Sequence, residues 1–210
     1  MKKTFVLVVL FILPLVAYLF FASGVNNFGK LAVLKEGVLD VPENKDQITL
    51  EEKITILGFL GYDIDLKKGN AFNLNQKIYK PFYEFNDFQM VMIMPYGTED
   101  KVGEIVNELS NLTDIRNWKF VFTDDDQIRN VFNSLGTNIK LDKDLGSDYV
   151  FIIDKNKNLR GRLDDEDEGK KYGYNATSVA ELNNKMEDDV KIILAEYRLA
   201  LKKNNAERTN

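Results

Sequence analysis

From Ile54 onward, short apolar runs alternate with stretches whose apolar residues recur every three or four positions. Ile54–Leu60 is apolar apart from Thr55 and stops at Gly61, which predicts a buried strand. Across 70–85, Phe72, Ile78, Phe82 and Phe85 recur near helical spacing and predict a helix. Residues 88–94 predict a second buried strand, ended by Pro95. Thr98 opens a helix to about Leu109, with Glu99 and Asp100 in the first turn, where acids complement the helix dipole. Residues 118–122 predict a third strand. Thr123 and Asp124–Asp126 then open a helix with Ile128, Val131, Phe132 and Leu135 on one face, and Gly136 ends it. Two strands, 149–153 and 159–163, flank the turn Asp154-Lys155-Asn156-Lys157-Asn158.

Ser178 and Glu181 have the spacing of a capping box. The helix they open carries Val179, Leu182, Met186, Val190, Ile193, Leu194, Tyr197 and Leu201 along one stripe, with Asp188 and Asp189 off it. About 24 residues span about 36 Å. Val179–Val190 is therefore expected on the sheet, and Ile193–Leu201 is expected to overhang it as a partner surface.

Strands separated by helices favour parallel pairing, and the late hairpin favours an antiparallel edge. The fold class expected is α/β, a thioredoxin-like mixed sheet with flanking helices. Ahead of it, Thr4–Ala22 carries no charge and follows Lys2 and Lys3. That run nearly crosses a hydrocarbon core of about 30 Å. The bulky Tyr18-Leu19-Phe20-Phe21 sits where a cleavage site needs small residues, so a retained anchor is expected rather than a removed signal peptide. The lysines place the N-terminus in the cytoplasm and the rest in the periplasm of a bacterial inner membrane. The expected division is an anchor over 1–23, a tether over 24–47, the domain over 48–204 and a tail over 205–210. Residues 31–34 inside the tether are apolar enough to pair as a short strand.

Composition narrows the chemistry. The chain of 210 residues carries a net charge of −5, which argues against a nucleic-acid partner. It contains no cysteine and no histidine. Disulfides, thiol chemistry and thiolate or imidazole metal ligation are therefore excluded. Carboxylates, lysines, tyrosines and backbone groups remain.

Each candidate constellation has a plainer reading. Asp154-x-Asn156-x-Asn158 opens like a calcium loop, but Leu159 stands where glycine is needed and Asp165 where glutamate is needed, so a hairpin turn is expected. The acidic run Asp164–Glu168 reads as a solvated loop, and Asp124–Asp126 as a helix start. Asp142, Asp144 and Asp148 flank Gly146 in a loop. Asp63 and Asp65 stand just after the first core strand, where two close carboxylates can split their pKa values. Phe82, Tyr83, Phe85 and Phe88 read mainly as core, with any exposed remainder a patch for a partner. No catalytic, cofactor-binding or metal-ligating residue is assigned.

Several short stretches, in order, resemble the Sco/SenC family of membrane-anchored thioredoxin-like proteins. They are Lys53-Ile-Thr-Ile-Leu-Gly-Phe, Asn117-Trp-Lys-Phe with Thr123-Asp124, Asp148-Tyr-Val-Phe-Ile-Ile-Asp154, and Leu159-Arg-Gly-Arg162. The resemblance implies a fold, a membrane location and a link to cytochrome oxidase assembly. It also implies copper ligands that are missing: the cysteine region reads Gly61–Lys67, and Gly146 and Ser147 stand nearest the histidine position. The function expected is a non-catalytic, anchored, periplasmic binding or accessory module with a protein partner. A carboxylate-based enzyme or hard-metal binder, and a permanent subunit of a membrane complex, stay open as alternatives.

Overall fold

A computed structural model describes residues 3, 9–16, 18 and 30–208, with residues 201–208 as backbone only. Six strands form the main sheet: β1 (Ala32–Lys35), β2 (Ile54–Phe59), β3 (Phe88–Pro95), β4 (Trp118–Thr123), β5 (Tyr149–Ile153) and β6 (Leu159–Asp165). Two short strands, β7 (Gly169–Lys171) and β8 (Tyr174–Asn175), pair with β6 and β5. The order is β1-β6-β5-β2-β3-β4. β2, β3 and β4 are parallel, while β5 runs antiparallel to β2 and β6 antiparallel to β5. Every residue of β2 and β3 is buried, as expected of central strands covered on both faces. Three parallel strands, an antiparallel pair beside the first of them, and helices on both faces make a thioredoxin-like α/β fold.

The helices are α1 (Ile64–Leu74), α2 (Glu99–Ser110), α3 (Asp125–Ser134) and α4 (Glu187–Arg208). A π-helical turn, Asn75–Tyr79, and a last turn, Lys80–Phe82, extend α1. Val179–Glu181 and a π-helical turn, Leu182–Met186, lead into α4. On one face of the sheet, α1, α2 and the final helix cover Ile54, Ile56, Met90, Met92 and Ile152. On the other, α3 and Val38, Val41 and Leu50 cover Leu57, Phe59, Val91, Val121 and Phe151.

Residues 32–35 form β1, close to the short strand expected at 31–34, and residues 36–47 pack on the domain instead of forming a tether. Leu31, Val38 and Val41 are core, and Asn44 ties the segment to itself by donating to the Pro42 and Ile48 carbonyls. The first helix starts at Ile64, six positions before the start expected at 70, because its first turns present mostly polar residues outward. The last helix continues to Arg208, so no tail begins at 205.

Ile193 and Leu194 do not face a partner. Ile193 is fully buried and Leu194 is 7% exposed, both in the core cluster that also contains Ile54, Ile56 and Ile152. At the other end, Val179 is 44% exposed rather than on the buried stripe. Side chains from Leu201 onward lie outside the described residues.

Most of the run 4–22 also lies outside them. Among the described residues no helix is long and apolar enough to cross a membrane.

Candidate functional site

The end of β2 runs into the stretch Gly61–Lys67 that the sequence singles out. Here the strand is sealed against the loop that precedes β5. Leu60 bridges Gly146, the Ser147 N–H donates to the Phe59 carbonyl at 2.8 Å, and the Tyr62 N–H donates to the Asp144 carbonyl at 2.8 Å. Gly61, at φ +71°, turns the chain out of the strand. A Cβ there would lie 2.4 Å from the Asp144 carbonyl oxygen and 2.5 Å from the Gly146 nitrogen, so only glycine lets the two backbones meet.

One turn into α1, Lys67 reaches back across this junction. Its Nζ lies 2.7 Å from Asp148 and 3.2 Å from Asp142. Asn70 donates a further bond to the same Asp148 oxygen at 3.1 Å. Asp142 accepts from the Asp144 and Gly146 N–H groups at 2.9 and 2.8 Å, which fixes the loop around it. Burial pushes the Lys67 ammonium down, but its hydrogen bonds to Asp148 and Asp142 outweigh this and hold it above the usual lysine range. The same bond from Lys67 holds Asp148 below the usual carboxylate range. A cleft of about 570 Å³ opens beside the cluster, bounded also by Tyr149, Lys170 and Tyr172.

The arrangement keeps one ammonium between two carboxylates. A cation would have to displace Lys67 to use them. Among the described residues no cluster of three or more carboxylates is arranged to hold a metal ion. Sequence reasoning placed Asp142 and Asp148 in one loop, but it missed Lys67, whose signal was only its place one turn after Asp63.

The other candidates are dispersed. Asp65 pairs with Lys101 at 2.9 Å on the exposed rim, and Asp63 precedes α1 without capping it through its side chain. Asp124 caps α3 by accepting from the Gln127 N–H at 2.9 Å. Asp154 accepts from the Asn156 and Asn158 N–H groups, each at 2.9 Å, and so closes the hairpin turn; its other oxygen accepts from Arg160 at 2.9 Å. Of the aromatic cluster, Phe82 and Phe88 are core and Phe85 is 41% exposed.

The acidic run is not simply solvated. Asp165 is buried and lies 2.7 Å from Lys185, because β6 carries it inward. Its Oδ2 has no hydrogen-bond donor, although Arg162 lies 3.5 Å away. Asp189 is likewise buried rather than off the stripe. It takes Arg162 in a two-pronged contact at 2.7 and 3.1 Å and accepts from the Tyr174 hydroxyl. Burial, then the Asp189 charge, push the Tyr174 hydroxyl upward.

No protein-family model matches the chain. No curated protein matches it either. Solved structures of similar shape include Sco/SenC proteins and thioredoxin-like oxidoreductases. A SCO1/SenC family lipoprotein from Bacillus anthracis has 14% identity and a TM-score of 0.49, over 80% of this chain and 99% of that one. A thiol:disulfide interchange protein from Bacteroides sp. has 13% identity and a TM-score of 0.47, over 77% and 91%. Arabidopsis thaliana ScoI with copper bound has 18% identity and a TM-score of 0.42, over 69% and 89%. At these scores the likeness adds nothing to what the strand order shows. This chain has no cysteine with which to repeat thiol chemistry.

Proposed function

We propose that the chain is a membrane-anchored, extracytoplasmic thioredoxin-like module that binds a protein partner and performs no redox or copper chemistry. The observation that carries this reading is the sealed end of β2. Gly61 and Gly146 meet backbone to backbone there, and Lys67 fills the space with an ion-paired ammonium. Copper(I) prefers thiolate, thioether and imidazole donors, and none of these lines the junction. The uncharged run 4–22 supports the anchor. The short stretches resembling Sco/SenC proteins give the narrowest form of the reading, an accessory role in oxidase assembly.

Three measurements test it. Alkaline extraction should leave the full chain in the membrane pellet, and protease should reach the domain only from outside. In competition with a copper(I) chelator, the full chain should leave the metal with the chelator. Stoichiometric, tight copper(I) binding would overturn the non-metal reading. Purification of the full chain in mild detergent should retain a defined partner at fixed stoichiometry; a solitary chain would overturn the binding role. A partner unrelated to the oxidase would remove only the narrowest form.

A further inference from the structure

Among the described residues β4 is the last strand of the sheet and pairs only with β3. The Met90 N–H donates to the Asn117 carbonyl and the Tyr96 N–H to the Thr123 carbonyl. Parallel pairing alternates, so 117, 119, 121 and 123 turn their backbone groups toward β3, while Phe120 and Phe122 turn theirs outward. Among the described residues nothing bonds to those outward groups.

The outward edge lies in a groove rather than on an open face. α2 walls one side and residues 43–49 the other, in two continuous stretches of about 650 and 460 Å³. Half-buried Phe120 and Phe122 form the floor, and Trp118 stacks on Phe120 at a centroid distance of 6.0 Å and 17° between planes. The α2 wall contains Gly103, where a Cβ would meet nothing within 4 Å. An interior glycine weakens a helix relative to alanine, and no contact within the domain requires one here. It leaves room beside the strand edge for another backbone.

The charges are unequal along the groove. Glu43, Asp46 and Glu99, against Lys45, line the stretch toward the Thr123 end, with Asp124–Asp126 just beyond. In the other stretch Lys53 and Lys119 balance Asp46 and Glu99, which line both.

The geometry points to strand addition: the groove receives an extended segment of a partner protein as a further strand beside β4. The segment has alternating apolar side chains against Phe120 and Phe122, and it is basic at the end that meets Glu99. Backbone hydrogen bonds supply affinity, and the aromatic floor and charged ends supply choice. This gives the proposed binding module its surface and rests on that reading.

The probe is a synthetic peptide of alternating Val and Thr with two lysines at one end, added to the full chain in detergent. Trp118 is the only tryptophan, so its emission reports the groove directly. The lysine peptide should shift that emission and slow hydrogen exchange at the Phe120 and Phe122 amides. A version with proline at alternate positions should bind at least about tenfold more weakly, a difference of about 1.4 kcal/mol. Gly103→Leu should weaken binding by a similar factor, and melting of that variant checks that it folds. Glu99→Lys should move the preference toward a peptide ending in glutamates.

Absence of any emission or exchange change would overturn the proposal, as would equal binding by Gly103→Leu. So would protection of the Phe120 and Phe122 amides before peptide is added, in a chain that sediments as a dimer. A natural partner retained equally by wild type and Gly103→Leu would remove the groove and leave the binding module standing.

Discussion

Lys67 and Lys171 each stand between two carboxylates, but in surroundings of different wetness. Lys171, on β7, is fully buried; its Nζ lies 2.6 Å from Glu168, which is 43% exposed, and 2.7 Å from Glu181, which is 16% exposed, and over the Tyr174 ring. Lys67, 13% exposed, lies at the mouth of a cleft, and both of its partners, Asp142 and Asp148, are well exposed at 39% and 46%. A dry ammonium has no water to return to if its partners are lost, so the first arrangement must be kept whole. The second is screened, and its energetic worth is small although its geometry shapes the junction. Proximity of charge alone therefore does not tell which ion pair holds a fold; solvent access does.

The contrast is broken first at the dry site. Lys171→Ala lets Glu168 return to water but leaves the largely buried Glu181 without its cation, and should cost about 1.5–3 kcal/mol, measured by denaturant unfolding. A loss below about 1 kcal/mol would show that water reaches the site. At the junction, Gly61→Ala should cost about 1–3 kcal/mol for the left-handed backbone. Its crowding against Asp144 should also loosen the loop before β5, visible as faster exchange of the Tyr62 and Ser147 amides. An unchanged exchange rate would mean that the two loops are not held by that contact.

Lys67→Met should cost no more than about 1 kcal/mol. A larger loss would place Lys67 in the same class as Lys171 and erase the distinction.

The smallest effect is in the pH profile. Asp148 is held below its ordinary value of 3.8, so its contribution is complete above that pH and fades as pH falls through the lowered value. Lys67 is held above 10.5, so its contribution is complete below that pH and fades as pH rises through the raised value. Lys67→Met should therefore flatten stability at both the acid and alkaline limits. A profile parallel to wild type would show that the ion pair is not coupled to folding.

Much of the sheet was legible because its central strands are apolar on both faces, and no other placement suits Phe88–Met94. The segment 36–53 was not legible. Val38, Val41 and Leu50 are isolated apolar residues among polar ones, and they are buried through turns held by Asp40 and Asn44 rather than through periodicity. Asp165 and Asp189 were misread for another reason, their partners Lys185 and Arg162 being 20 and 27 positions away. Each is charged, and only the arrival of a distant opposite charge makes its burial tolerable. The junction at Gly61 was visible as a strand end, but its closure depends on Asp142–Asp148, some eighty positions away. Ile193 was correctly placed on the apolar stripe; what the sequence does not contain is how far the sheet beneath it extends.

Arg160 has a mechanical consequence. Its guanidinium donates to the Leu31 carbonyl at 2.9 Å, to Asp154 at 2.9 Å and to Glu196 at 2.6 Å. Leu31 is the point where the chain from the N-terminal side enters the domain, just ahead of edge strand β1. A pull on that side loads β1 first, and Arg160 passes the load to the hairpin turn and the final helix together instead of letting the edge peel alone. The domain should thus resist tension as a single body from its entry point, and Arg160→Gln should convert one abrupt extension in a pulling experiment into two, with β1 yielding first.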